Sequence, residues 1–153
     1  MSYIVKKFGQ MVGSSIETHP KRSQNLLKLG YALSGLQMKY FPEKYLLPHQ
    51  IYASVVCNSL IRHSLQNPGN SAVVNLFFPC ELLHAVGIKP ESVEGFSCYL
   101  NGACCERFFI DYIENVGMPK TLCSYHKTTL GAAFSKVLPK PKFIMATTMI
   151  CDA

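Results

Sequence analysis

The apolar positions change rhythm at the NPGN stretch, residues 67–70. Before it the period is helical. In SQNLLKLGYAL, starting at Ser23, apolar residues recur near helical spacing, and Pro48 suits the first turn of a helix running to about Gln66. Residues 1–66 are therefore expected to form a helical N-terminal region, which the NPGN stretch breaks. Residues 72–78 (AVVNLFF) then read as a strand. Pro79 opens a short helix in CELLHAV and Gly87 closes it, with a loop or short strand following through Phe96. Asn101 is the expected N-cap of a helix whose apolar stripe is Cys105, Phe108, Phe109, Tyr112, Ile113 and Val116, ended by Gly117 and Pro119. A short strand is expected at Thr121 and Leu122. Leu130, Ala133, Phe134 and Val137 mark another helix, stopped by Pro139 and Pro141. Residues 142–150 (KFIMATTMI) are a near-continuous apolar run, as in a parallel strand covered on both faces. The alternation predicts an α/β fold: a helical segment over 1–66, then a partial parallel-sheet lobe over 71–153.

Composition narrows the setting. A chain of 153 residues with 48% hydrophobic content can build one core. No apolar run is long enough for a membrane helix. The lysines of the N-terminus lie behind its first apolar residues and no apolar signal core follows, so the chain is expected in the cytoplasm. Seven cysteines, an odd number without a secretion signal, favour reduced thiols or metal ligation over a disulfide framework. No CxxC supports a zinc ribbon, and Cys57, Cys98, Cys104 and Cys105 are expected as small buried hydrophobes. The net charge of +6 is uneven: residues 1–70 carry eight Lys/Arg against Glu17 and Glu43, whereas the remainder is balanced. The basic half suits an anionic partner or a solvated helical surface. No arginine stripe with interleaved aromatics supports nucleic acid, and no GxGxxG or GxxxxGK[ST] loop is present.

The chemistry gathers in PKTLCSYHKTTLG and in the closing MICDA. Cys123 is expected at the end of a short strand and the start of a helix, where exposed amides favour the thiolate form. If the following strand, 142–150, is its neighbour, Cys123 and Cys151 share the carboxyl edge of the sheet, where open α/β sheets bind ligands. Two thiolates meeting there make half of a metal or cluster site; unrelated cysteines are the plain alternative. His126, three residues after Cys123, is poorly placed for a Cys/His pair, and His84 reads as a core or surface residue. Glu81 falls in the first turn after the first strand, either stabilising that helix start or facing the site.

FFPCELLHAVGIKPE (77–91), CSYHKTTLG (123–131) and MICDA (149–153), in that order, resemble the 2-hydroxyacyl-CoA dehydratase family, which includes 2-hydroxyglutaryl-CoA dehydratase D-components, benzoyl-CoA reductase subunits and double-cubane cluster proteins. The resemblance covers about 71–153, the first lobe of a longer subunit, and residues 1–66 match no motif. It implies flavodoxin-like or Rossmann-like lobes in paired subunits, and a 4Fe-4S iron–sulfur cluster held by three cysteines. Cys123 and Cys151 match the first two ligands; the third belongs to a later lobe. It implies a lyase reaction sensitive to oxygen. A separate ATP-hydrolysing iron–sulfur activator injects one electron, a 2-hydroxyacyl-CoA becomes a ketyl radical, water and a β-proton leave, and an enoyl-CoA forms. Ser124 and the amides after Cys123 would bond cluster sulfur, Lys127 would face a CoA phosphate or the other subunit, and Glu81 would lie near the substrate.

The expected reading is thus the N-terminal portion of such a subunit, stopping inside its own site and inactive alone. A non-catalytic cluster-carrying or docking module of the same superfamily, and a metal-free thiol-rich α/β domain, stay open. Cys80, between Pro79 and Glu81, is either a replacement ligand or core packing.

Overall fold

The computed structural model describes residues 3–148. Three helices come first: α1 (Tyr3–Gly13), α2 (Pro20–Tyr40) and α3 (Pro48–Gln66). Pro20 and Pro48 each sit in a first helical turn, where a missing N–H is tolerated. A 3-10 turn, Pro68–Asn70, carries the NPGN break and leads into β1 (Ser71–Val74). Then follow α4 (Glu81–Ala85), β2 (Lys89–Ser92), α5 (Val93–Gly102), α6 (Glu106–Asn115), α7 (Ser124–Phe134) and β3 (Phe143–Met145). The strands form one parallel sheet in the order β2-β1-β3, so the helical-then-α/β division read from the sequence is found.

β1 is buried along its whole length because alternate residues serve two cores. Val73 joins the larger cluster, with Leu27 and Tyr31 of α2, Ile61 and Leu65 of α3, Phe96 and Leu100 of α5, Phe109 of α6 and Ala132 of α7. Ala72 and Val74 face the other way, against Leu83 and Ile88, with Cys80 and Phe78 at the margin. α6 and α7 pack closely at Gly131, where any Cβ would collide with the Phe109 carbonyl.

Four local expectations are corrected. β1 ends at Val74 rather than continuing to Phe78, because the Asn75 side chain pairs with Thr147 and the chain turns. Asn101 lies within α5 instead of capping a helix. Ser92 caps α5 by accepting from the Gly95 N–H at 2.8 Å, and Cys104, at φ 56°, separates α5 from α6. Residues 121–122 form a turn rather than a strand, since the Leu122 N–H bonds back to the Pro119 carbonyl. β3 is exposed rather than covered: it lies at the sheet edge with Ile144 turned to solvent.

Candidate functional site

The strand order puts β1 between β2 and β3, so the connections leave the carboxyl end of the sheet on opposite sides of β1. That is the switch point at which open α/β sheets hold ligands. Its frame is built by Asn75, directly after β1. The Asn75 amide nitrogen donates to the Thr147 carbonyl at 2.9 Å, and the Thr147 N–H donates to Asn75 Oδ1 at 3.1 Å. One side chain thereby adds a rung to the β1/β3 ladder and fixes the chain four residues before Cys151. Cys151 itself lies outside the described residues, so its expected place beside Cys123 does too.

Glu81 opens α4 six residues after Asn75. It is exposed, and its carboxylate has no hydrogen-bond or ion-pair partner among the described residues. Cys80 beside it is half-buried against the smaller core, and burial raises its thiol pKa, with the Glu81 charge adding to the effect.

Cys123 is the N-cap of α7 and is exposed. The helix start predicted there is found, without the strand expected before it. The amides of residues 124–126 precede the first intrahelical bond, made by the Lys127 N–H to the Cys123 carbonyl at 3.0 Å. Those amides are unsatisfied within the helix. Ser124 is exposed, and its carbonyl accepts from Thr128 Oγ1 at 2.8 Å. Further along, Thr129 Oγ1 donates to the carbonyl of Val93, the residue directly after β2, at 3.0 Å, and bonds the Ser97 hydroxyl at 2.9 Å. Thr129 thus anchors α7 to the carboxyl end of β2. The chain then returns to the amino end of β1, where the Lys142 N–H reaches the Ser71 carbonyl at 2.9 Å. Cys123, six residues before Thr129, therefore lies on the carboxyl side, about 9 Å along the helix axis from that anchor.

Lys127 is neither solvated nor turned outward to a phosphate. Its ammonium is 2.6 Å from Glu114 Oε1 and 2.9 Å from the Lys120 carbonyl, with the side chains of Lys127 and Glu114 only 6% and 18% exposed. This pair ties the last turn of α6, the loop carrying Cys123 and the first turns of α7 into one unit. Glu114 was not among the residues singled out from the sequence; the only signal for it was a carboxylate on the polar side of the α6 stripe. His126, half-buried with no partner for Nδ1, makes no described hydrogen bond to Cys123.

A family model described as 2-hydroxyglutaryl-CoA dehydratase, D-component, matches residues 75–153, just over half the chain. The chain belongs to that family. No curated protein and no solved structure matches it. The match starts at Asn75 and takes in Glu81, Cys123, Ser124, Lys127 and Cys151, while α1, α2 and α3 lie outside it. Membership makes this D-component relative a 2-hydroxyacyl-CoA dehydratase-type subunit in general terms, and implies a partner component.

The other cysteines divide by position. Cys105 is fully buried, as expected, and burial drives its thiol pKa far up; Cys57 and Cys98 are exposed, contrary to expectation. No disulfide joins the described cysteines. Among the described residues no three His, Cys, Asp or Glu side chains are grouped to hold a metal, and no helix is long and apolar enough to cross a membrane.

Proposed function

We propose that the chain serves in the removal of water from a 2-hydroxyacyl-CoA, with Cys123 and Cys151 as two thiolate ligands of a 4Fe-4S cluster. The observation that carries this is the exposed thiol of Cys123 at the start of α7, beside amides with no intrahelical partner and on the carboxyl side of a parallel sheet. The donor chemistry fits: thiolate is the usual ligand of such clusters, and nearby N–H groups offset the negative charge of cluster sulfur. The described residues supply one such ligand, Cys123; Cys151 and a further thiolate complete the set. When bound, the cluster would supply one-electron chemistry and an iron able to polarise a thioester oxygen.

The chain's own residues have separate tasks. Cys123 would hold iron, and the amides of residues 124–126 with the Ser124 hydroxyl would hydrogen-bond cluster sulfur. Lys127 acts from behind, through Glu114 and the Lys120 carbonyl, by holding the Cys123 loop against α6. This positioning role stands in place of the contact with a CoA phosphate or the other subunit that the resemblance implies. Glu81, an unpartnered carboxylate after β1, faces the acyl-CoA and takes or holds a proton there. Asn75 keeps the chain before Cys151 in register with β1. The partners are a second dehydratase subunit and an ATP-hydrolysing iron–sulfur activator, and a thiol-rich chain with no disulfide among its described cysteines suits the reducing cytoplasm.

The test is anaerobic reconstitution with iron and sulfide of a longer version of the subunit that includes the later lobe and its third cysteine, then incubation with the partner subunit, the activator, ATP and a 2-hydroxyacyl-CoA. Formation of enoyl-CoA, measured chromatographically, is the expected result. A stable cluster without dehydration of any 2-hydroxyacyl-CoA would instead support a non-catalytic, cluster-carrying module.

A further inference from the structure

α2 has two apolar faces, and only one is used by the fold. Ser23, Leu27 and Tyr31 are buried against the rest of the molecule. At about 100° per residue, Leu29, Leu33, Leu36 and Tyr40 fall on the opposite side, in a stripe only about 60° wide. They are 59%, 59%, 54% and 62% exposed. Their spacing of four, three and four residues is the 3.5-residue period of a helix–helix seam. Beside the stripe, past Leu33, lies an apolar hollow of about 660 Å³, bordered by Gly30 and Gln37 of α2, Ile4 and Phe8 of α1 and Tyr99 of α5.

The charges beside this stripe select what covers it. α2 carries Lys21, Arg22, Lys28 and Lys39 and no acidic residue. Lys21, Lys28 and Lys39 fall within about 20° of one another, along one flank of the stripe. None of the four makes an ion pair among the described residues, and the Lys39 ammonium sits 5.3 Å from the Tyr40 ring centre, at the stripe's end. A second copy of this chain fits badly: antiparallel α2 helices would set lysine row against lysine row, and parallel ones would leave the rows unmatched. A membrane surface also fits badly, because interfacial helices present a broad apolar face, whereas this stripe is one side chain wide.

We infer that the outer face of α2 is a docking seam for an acidic amphipathic helix of a different protein, which lays its own apolar stripe on Leu29, Leu33, Leu36 and Tyr40 and inserts a side chain into the adjoining hollow. Acidic residues on the flank of that helix meet Lys21, Lys28 and Lys39. The seam lies outside the family-matched part of the chain, so it stands independently of the cluster assignment.

The experiment measures binding of the full chain to a synthetic helix with leucine at every a and d position and glutamate at every e and g, and to a twin with lysine in place of glutamate. The glutamate peptide is expected to bind saturably and the lysine twin not to bind. Lys28→Glu with Lys39→Glu is expected to weaken binding about tenfold, through loss of paired charge. Leu33→Gln with Leu36→Gln, exposed positions where glutamine keeps the helix, is expected to weaken it about a hundredfold. Absence of saturable binding to the glutamate peptide, or equal binding of both peptides, overturns the inference. So does sedimentation showing that the chain dimerises through Leu33 and Leu36, or binding of the stripe to phosphatidylserine vesicles in preference to the peptide.

Discussion

The Lys127 ammonium lies 2.6 Å from the Glu114 carboxylate, and both are largely withdrawn from water. They are thirteen residues apart, on two helices joined by the loop that carries Cys123. The same ammonium also donates to the Lys120 carbonyl, so one side chain closes that loop at both ends. Lys127→Met leaves Glu114 without its cation and is expected to destabilise the protein by about 3 kcal/mol in urea unfolding. Lys127→Met with Glu114→Leu removes both charges and is expected to recover most of that loss. Equal destabilisation in the single and double variants would contradict the pairing.

Glu91, on β2, is buried, and its Oε2 has no partner among the described residues. Burial raises its carboxyl pKa well above the ordinary 4.5, while a hydrogen bond from Ser64 acts in the other direction. The folded pKa exceeds the unfolded one. The unfolded chain therefore releases this proton first, and folding is progressively opposed as pH rises from about 4.5 towards the folded pKa. Glu91→Gln is expected to flatten that fall in stability, so that thermal unfolding temperatures of variant and wild type converge at low pH and diverge, with the variant higher, towards neutrality. Parallel profiles would show that folding leaves the Glu91 carboxyl pKa unchanged.

Gly131 faces the Phe109 carbonyl so closely that a methyl group has no room. Gly131→Ala is expected to push α7 from α6 and lower stability by about 1–3 kcal/mol, the usual range for overpacking. Hydrogen exchange should increase in both helices. A neutral or stabilising effect would mean that α6 and α7 do not meet at this residue.

Thiol accessibility gives a direct check on the placement of the cysteines. Cys98 and Cys123 are exposed whereas Cys105 is buried, its thiol further held in the protonated form by burial. Brief alkylation of the native, metal-free protein, followed by peptide mass spectrometry, is expected to label Cys98 and Cys123 and spare Cys105. Labelling of Cys105 before Cys123 would contradict the fold around α7.

The sequence was most informative where local chemistry decides structure. Pro48, Gly87 and Gly117 punctuate helices as their backbone restrictions require, and the Cys123 helix start follows from the residues around it. It was less informative where distant groups decide. The Asn75–Thr147 contact spans 72 positions, so nothing local to AVVNLFF announced that β1 would end early. The strand expected at Thr121 and Leu122 rested on two residues, too few to outweigh the turn made by Pro119. For Lys127 the resemblance implies a contact with a CoA phosphate or the other subunit, and nothing local to CSYHKTTLG pairs it with Glu114. Only the return of α7 beside α6 brings it to Glu114. The exposed stripe on α2 was hidden in plain composition, since its leucines share a helix with the leucines of the core.

The central claim is that the Cys123 thiol holds iron. Anaerobic reconstitution of wild type, Cys123→Ser and Cys98→Ser, with iron and acid-labile sulfide measured per chain, tests it most directly. Cys98→Ser replaces another exposed thiol, on α5, and controls for adventitious binding. The account predicts that wild type and Cys98→Ser retain iron and sulfide and that Cys123→Ser loses most of both. Retention in Cys123→Ser equal to wild type, or no iron in any of the three, would contradict it.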